Sequence, residues 1–105
     1  MNFRNEQAFT DAVVDLAKMS GWMVMHMRGN THRLIQGMAG YPDLTLARRA
    51  RLGGDFPVFE WWELKMPRGC LTDAQAQWGR ILHPYWFCFR PDDWDRIRER
   101  LLRQR

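Results

Sequence analysis

Apolar residues recur at helical spacing in three segments of the chain. This periodicity predicts one helix over residues 5–19, a second over 72–83 and a third from residue 91 onward. The second helix should start at Thr72, because Gln75 follows three positions later as in a capping box. In the third helix, the residues expected to face inward are Trp94, Ile97, Leu101 and Leu102.

Short apolar runs between these helices predict strands. The four runs cover residues 22–27, 43–47, 58–65 and 85–90. The first run is expected to be buried, and its methionines, together with Met19, should fill the core. The arginine-rich stretch 48–57 is predicted to be a basic turn. The order α-β-β-β-α-β-α predicts one α/β domain over residues 1–105.

Composition sets limits on the class of protein. The chain has 105 residues and is 46% hydrophobic, enough for one core. No apolar run approaches the length of a membrane span and no signal peptide is evident, so a cytoplasmic protein is expected. Cys70 and Cys88 have no zinc-site spacing and are expected to be free thiols, with Cys88 buried in a strand.

The chain is basic. Sixteen Lys and Arg residues against twelve Asp and Glu give a net charge of +4. Arginine predominates, and its planar guanidinium suits phosphate groups. This balance favours a polyanionic partner such as nucleic acid, although small basic proteins are common.

Two short motifs bring carboxylates together with a lysine. Pro42-Asp43 opens one predicted strand, and Glu63-Leu64-Lys65 ends the next. Successive strand side chains alternate between faces, so Glu63 and Lys65 should project to the same side. Mg²⁺ prefers oxygen ligands and often takes only one or two protein carboxylates. The pattern indicates a metal-dependent phosphodiester hydrolase, whereas a surface Glu–Lys ion pair is the simpler alternative.

Two further polar residues share faces with apolar ones. Glu6 falls on the helix stripe of Phe9 and Val13, where it would border a site or serve as a first-turn acid that interacts with the helix dipole. Gln75 shares a face with Trp78, although a capping box also explains it.

In this order, Glu6, Gly40-Tyr41-Pro42-Asp43, Glu63-Leu64-Lys65 and Thr72-x-x-Gln75-x-x-Trp78 resemble the VRR-NUC (virus-type replication-repair nuclease) family of the PD-(D/E)XK nuclease superfamily. The resemblance covers nearly the whole chain. It implies a restriction-endonuclease-like core, a mixed sheet flanked by helices.

The resemblance also implies roles for individual residues. Asp43 and Glu63 would bind Mg²⁺ or Mn²⁺, with the backbone carbonyl of Leu64 as a third ligand. Lys65 would steady negative charge developing on the phosphate and position the attacking water. Gln75 would orient water, Lys65 or substrate, and Glu6 would supply an outer contact or a second-metal contact.

Several arginines are candidates for contacts with the DNA backbone. They are Arg28, Arg33, Arg48, Arg49, Arg51 and Arg68. A solvated hairpin tip is the alternative for the basic turn. Phe59 and Trp61 share the strand face of Glu63, where one of them could stack on an unpaired base, but core packing is the expected role.

The expected function is metal-dependent cleavage of branched DNA, as a Holliday junction resolvase or a flap nuclease. The family resemblance implies a homodimer acting in phage or prophage replication, recombination or repair, in the host cytoplasm. One alternative is a non-catalytic DNA-binding accessory module on the same fold. Another is a sequence-specific restriction-type endonuclease, which would need an added recognition element.

Overall fold

A computed structural model describes residues 2–27, 38–50 and 56–103 of the chain. Three helices and four strands follow one another in the predicted order. They are α1 (Glu6–Met19), β1 (Met23–His26), β2 (Leu44–Arg49), β3 (Pro57–Leu64), α2 (Asp73–Leu82), β4 (Trp86–Phe89) and α3 (Trp94–Leu102), with a short 3-10 turn (Pro91–Asp93) before α3.

The strands form one mixed sheet in the order β1-β2-β3-β4. The first three strands pair antiparallel, and β4 runs parallel to β3 after the crossover through α2. Alternation along β3 sends Trp62 and Leu64 into the core formed with α1 and α3. Gly79 of α2 packs on Trp86, which belongs to the opposite face of β4. The predicted α/β class, a mixed sheet flanked by helices, is confirmed.

Helix starts follow the local chemistry of the sequence. The Asn5 side chain accepts a hydrogen bond from Ala8 N at 2.8 Å and caps α1. Thr72 caps α2 through a complete capping box, because its side chain accepts from Gln75 N while the Gln75 side chain accepts from Thr72 N.

The core lies between the sheet and the pair α1 and α3. Its fully buried side chains include Phe9 and Val13 from α1 and Ile97 and Leu101 from α3. Trp22 closes one end of this layer, where its indole N–H donates to the Leu101 carbonyl at 3.0 Å.

The core contains fewer methionines than expected. Met19, Met23 and Met25 are 84%, 78% and 63% exposed, so the prediction that they fill the core is wrong. The face of β1 that carries Met23 and Met25 points away from α1 and α3. Leu102 is likewise exposed, because the inward stripe of α3 ends at Leu101.

The predicted basic turn is shorter than residues 48–57. Strand β2 continues to Arg49, which pairs with Pro57 at the start of β3. Arg48 is buried, with its guanidinium 4.7 Å from the centre of the Trp22 ring and hydrogen-bonded to the Arg49 and Arg103 carbonyls. A cation–π contact and two carbonyl acceptors thus replace the solvent expected around this side chain.

Both cysteines are free, as expected; Cys70 is exposed and Cys88 is only half-buried. Within the described segments, none of the helices has the length and apolar character needed to cross a bilayer.

Candidate metal centre

The sheet brings Asp43 and Glu63 together. The pairing of Leu44 with Trp62 sets the register, so that Asp43, the residue before β2, lies beside Glu63 near the end of β3. Asp43 Oδ2 accepts a hydrogen bond from Leu64 N at 2.8 Å. This contact fixes the Asp43 carboxylate against the strand that carries Glu63 and Lys65.

The segment before Asp43 packs closely against α2. Gly40 has a φ of +91°, and a Cβ there would lie 2.6 Å from the Ala74 carbonyl carbon. The Trp78 indole N–H donates to the Ala39 carbonyl at 2.9 Å, and the Tyr41 and Trp78 rings meet edge to face. Glycine is therefore required at position 40 both by its φ and by the close approach of α2.

Glu63 lies in a nearly closed environment with two polar neighbours. Its side chain is 3% exposed, and Lys65 Nζ lies 3.7 Å from its Oε2. Gln75 Nε2 donates to the same oxygen at 3.2 Å. Since Gln75 also belongs to the capping box of α2, the local role and the site role predicted for it are both present in one side chain.

The other carboxyl oxygen of Glu63 is buried and has no hydrogen-bond partner among the described residues. Burial, followed by the charge of Asp43, raises the pKa of Glu63 from 4.5 to about 8, and Lys65 opposes this shift. A proton or a cation at Glu63 therefore relieves the repulsion between the two carboxyls at neutral pH.

This arrangement fits a hard divalent cation. An unsatisfied buried carboxylate oxygen next to a second carboxylate is the donor chemistry that Mg²⁺ or Mn²⁺ accepts. The N–H of Leu64 points to Asp43, and a strand residue directs its C=O to the same side as its N–H, so we expect the Leu64 carbonyl to face the pair. Among the residues the structure describes, no group of three or more His, Cys, Asp or Glu side chains could hold a metal.

The structure does not bring every predicted site residue to this point. Glu6 is exposed in the first turn of α1, and no hydrogen bond or ion pair between described residues joins it to Asp43 or Glu63. Its position matches the alternative of a first-turn acid at a helix N-terminus.

The candidate DNA-contacting arginines are placed differently from one another. Arg49 and Arg68 are exposed, whereas Arg48 faces the core. The structure therefore gives no support to a contact between Arg48 and the DNA backbone. The remaining three candidates, Arg28, Arg33 and Arg51, lie outside the described residues.

Two residues outside the predicted motifs, Gly69 and Arg90, help to position the Lys65 side chain. Gly69 packs against the lysine stem, where an added Cβ would lie 3.3 Å from Lys65 Cδ. Arg90 Nη2 donates to the Gly69 carbonyl at 2.8 Å and so ties the turn after β3 to the end of β4. No spacing in the sequence indicates this contact, which depends on the parallel pairing of β3 with β4.

A second buried carboxylate, Glu60, lies on the other face of β3. It is fully buried, forms an ion pair with Arg100 at 2.9 Å and accepts from the Trp62 indole N–H at 3.0 Å. The guanidinium of Arg100 also lies over the Phe87 ring, 4.5 Å from the ring centre. This carboxylate is satisfied by its partners and differs in that respect from Glu63.

Comparisons of the chain with models of protein families, with curated proteins and with solved structures found no match.

Proposed function

We propose that this protein is a DNA endonuclease that hydrolyses phosphodiester bonds with Mg²⁺ or Mn²⁺. One observation carries the proposal: the buried Glu63 carboxyl, with one oxygen lacking a partner among the described residues, lies beside the Asp43 carboxyl. Two adjacent carboxylates, of which Glu63 is buried and Asp43 half-buried, are unfavourable unless a proton or a cation lies between them. The ammonium of Lys65 can balance only one of the two charges.

Each residue of the group has a distinct role in this proposal. Asp43 and Glu63 would hold the cation, with the Leu64 carbonyl as a third ligand. Such a cation, when bound, polarises a phosphoryl oxygen and lowers the pKa of a water ligand. Lys65 would stabilise negative charge on the phosphate. Gln75 would keep the Glu63 carboxylate in one orientation and is a positioning residue.

The substrate and the assembly belong to the same proposal. The resemblance to the VRR-NUC family supports branched DNA as substrate, either a four-way junction or a flap, and a homodimer whose two sites match a two-fold junction. The net charge of +4 supports a polyanionic partner. A role in phage or prophage replication, recombination or repair in the host cytoplasm follows from the resemblance alone.

Cleavage of end-labelled four-way junction, flap and linear duplex DNA in Mg²⁺, Mn²⁺ or EDTA tests the proposal. We expect cutting of branched substrates that requires metal and is lost in Asp43→Asn and in Lys65→Ala. Asparagine keeps an oxygen that accepts from Leu64 N, so Asp43→Asn should retain the local fold while losing the charge.

The chain offers matched controls for both variants. Lys18, on the exposed side of α1, is the other lysine, and Asp92 is an exposed aspartate far from Glu63 in sequence. Lys18→Ala and Asp92→Asn should cut as the wild type does. Intact DNA under every metal condition, with DNA still retained in a gel shift, would replace the nuclease with a non-catalytic binding module. Cutting of linear duplex at fixed sites would instead favour a restriction-type enzyme.

A further inference from the structure

Among the residues that the structure describes, the helices leave one face of the sheet partly uncovered. Its residues are Met23 and Met25 of β1, Thr45 and Ala47 of β2, and Phe59 and Trp61 of β3, which lie opposite one another in the strand register; we call this the open face. Helix α1 and helix α3 pack on the other side of the sheet. Helix α2 covers only the part near β4, where Gly79 meets Trp86.

Two aromatic rings form an ordered pair on the open face. The Phe59 and Trp61 rings are nearly parallel, with an interplanar angle of 16° and centroids 6.0 Å apart. The indole N–H of Trp61 donates to the Tyr41 hydroxyl at 3.1 Å, and that hydroxyl shares a hydrogen bond with Thr45. The orientation of Trp61 is therefore fixed before any ligand arrives, although its ring remains partly exposed.

A cavity of about 490 Å³ lies beside these rings. Its lining includes Ala50, Phe56, Pro57, Phe59, Trp61 and Tyr85. The aromatic side chains at its rim, Phe56 and Tyr85, are 65% and 49% exposed. An apolar, aromatic cleft of this kind suits a flat, weakly polar ring such as a nucleobase.

The aromatic pair and the candidate metal centre lie on the same face of the same strand. Trp61 is two residues before Glu63, which places their Cα atoms about 6.6 Å apart along β3. Tyr41 reaches Trp61 from the segment that also carries Asp43. A strand of nucleic acid with a phosphate at Glu63 would thus have its neighbouring base within reach of the Trp61 ring.

Because the aromatic pair and the candidate metal centre share one strand face, we propose that Trp61 and Phe59 stack on unpaired bases next to the phosphate that is cut. The substrate would then carry a single-stranded segment at the cleavage site. The inference rests on the proposed nuclease function and narrows its substrate. Aromatic side chains bind single strands by stacking on bases while basic groups follow the backbone. The net charge of +4 and the ammonium of Lys65, which lies on this face beside Glu63, complement the phosphates of such a strand.

Binding of flap DNA in EDTA, where no cutting can occur, tests the proposal. The probes are a duplex with a single-stranded thymidine flap and the same duplex with an abasic flap, which keeps the phosphates and removes the bases. The wild type should bind the thymidine flap about 5- to 150-fold more tightly, the range expected for one stacked base. Trp61→Ala should lose this preference, and Trp61→Tyr should retain part of it because an aromatic face remains.

Met19→Ala serves as the matched control, since Met19 is an exposed apolar side chain outside the open face. It should keep the full preference for the thymidine flap. Equal binding of both flaps by the wild type, or an unchanged preference in Trp61→Ala, would overturn the proposal. So would a wild-type dimer in sedimentation that becomes a monomer in Trp61→Ala, because the open face would then be occupied by a second copy.

Cleavage assays in Mg²⁺ separate this inference from the function on which it rests. Metal-dependent cutting of both flaps at equal rates would overturn the stacking site and leave the nuclease intact. Preference for the thymidine flap in binding, without cutting in any metal, would retain the stacking site and remove the nuclease. Faster cutting of the thymidine flap, lost in Trp61→Ala, is the result that supports both.

Discussion

The side-chain amide of Gln75 donates from Nε2 to Glu63 Oε2 across 3.2 Å. The other end of the same amide accepts from Thr72 N at 2.9 Å and completes the capping box of α2. The orientation of the amide is thus fixed, because its oxygen must face the N–H of Thr72. The start of α2 and the candidate metal centre are connected through this one side chain.

Replacing Gln75 should therefore affect stability and metal binding separately. Gln75→Glu can still complete the capping box, so the free energy of unfolding should change by less than about 1 kcal/mol at low pH. It loses the donor to Glu63 and adds a negative charge. Residues that hold a metal ligand in place typically contribute about 10- to 100-fold to metal affinity or activity. We therefore expect Gln75→Ala to raise the Mg²⁺ concentration required for half-maximal cleavage by a factor of that size.

Thr72 provides the control for this separation. Thr72→Ala removes the cap acceptor and should lower the free energy of unfolding by about 1 kcal/mol, while the Gln75 amide remains available to Glu63. Its Mg²⁺ requirement should be close to that of the wild type. An equal shift of the Mg²⁺ requirement in Thr72→Ala and Gln75→Ala would mean that only the helix start matters.

Gly40 is expected to tolerate no side chain. Gly40→Ala would place a Cβ 2.6 Å from the Ala74 carbonyl carbon at a φ of +91°, so the Gly40 segment or α2 must shift. We expect a loss of about 2–5 kcal/mol in urea unfolding from strain and overpacking together.

A substitution at Gly21 separates backbone strain from overpacking. It also has a positive φ, 92°, but lies just after α1 rather than against α2. Gly21→Ala should cost only the backbone strain of about 1–2 kcal/mol and leave cleavage unchanged. Equal losses in both variants would mean that the contact with Ala74 is unimportant.

The sequence predicted the elements well because each had a local signal. The helix caps at Asn5 and Thr72 and the glycine before the Pro42-Asp43 pair are short-range features. The approach of Asp43 to Glu63 was inferred from motif chemistry, and the register of β2 with β3 accounts for it. The helical stripe of Glu6 indicated a face of α1 but not whether the end of that face meets the site, and the structure places Glu6 exposed in the first turn of α1.

The failures concern relations between distant segments. An apolar strand such as β1 does not reveal which of its faces a helix will cover, and here Met23 and Met25 lie beyond the reach of α2. Arg48 was assigned to a turn because arginines cluster there, but the strand ladder continues and the Trp22 ring supplies a buried cation site. The Glu60–Arg100 pair spans 40 residues and has no local signature.

The Glu60–Arg100 pair should be important for stability. Arg100→Met would remove the Arg100 guanidinium from the fully buried Glu60 carboxylate, and removal of one member of a buried pair costs about 3–5 kcal/mol. The double variant Glu60→Gln with Arg100→Met should recover much of that loss in urea unfolding. Arg96→Ala is the control, since its ion pair with Asp93 is exposed and worth less than about 1 kcal/mol.

The stability of the metal-free protein should fall as the pH rises from about 5 to about 8. Burial and the neighbouring Asp43 raise the pKa of Glu63 from 4.5 to about 8, so folding takes up a proton in this window. This stabilisation is fully present below the unfolded-state pKa of 4.5 and is lost as the pH rises through the folded-state pKa of about 8. Each pKa unit of difference between the folded and the unfolded protein corresponds to about 1.4 kcal/mol. The free energy of unfolding, measured in urea with EDTA, should therefore decline by a few kcal/mol across this window.

Glu63→Gln distinguishes this carboxyl from every other titrating group. The amide is neutral at all pH values and mimics the protonated acid, so the decline between about pH 5 and pH 8 should largely disappear in the variant. Glu99→Gln, an exposed control on α3, should keep the wild-type slope. Saturating Mg²⁺ should restore wild-type stability near pH 8, because the cation binds the ionised pair and competes with the proton. An identical slope in the wild type and in Glu63→Gln would show that Glu63 is not the group that takes up the proton.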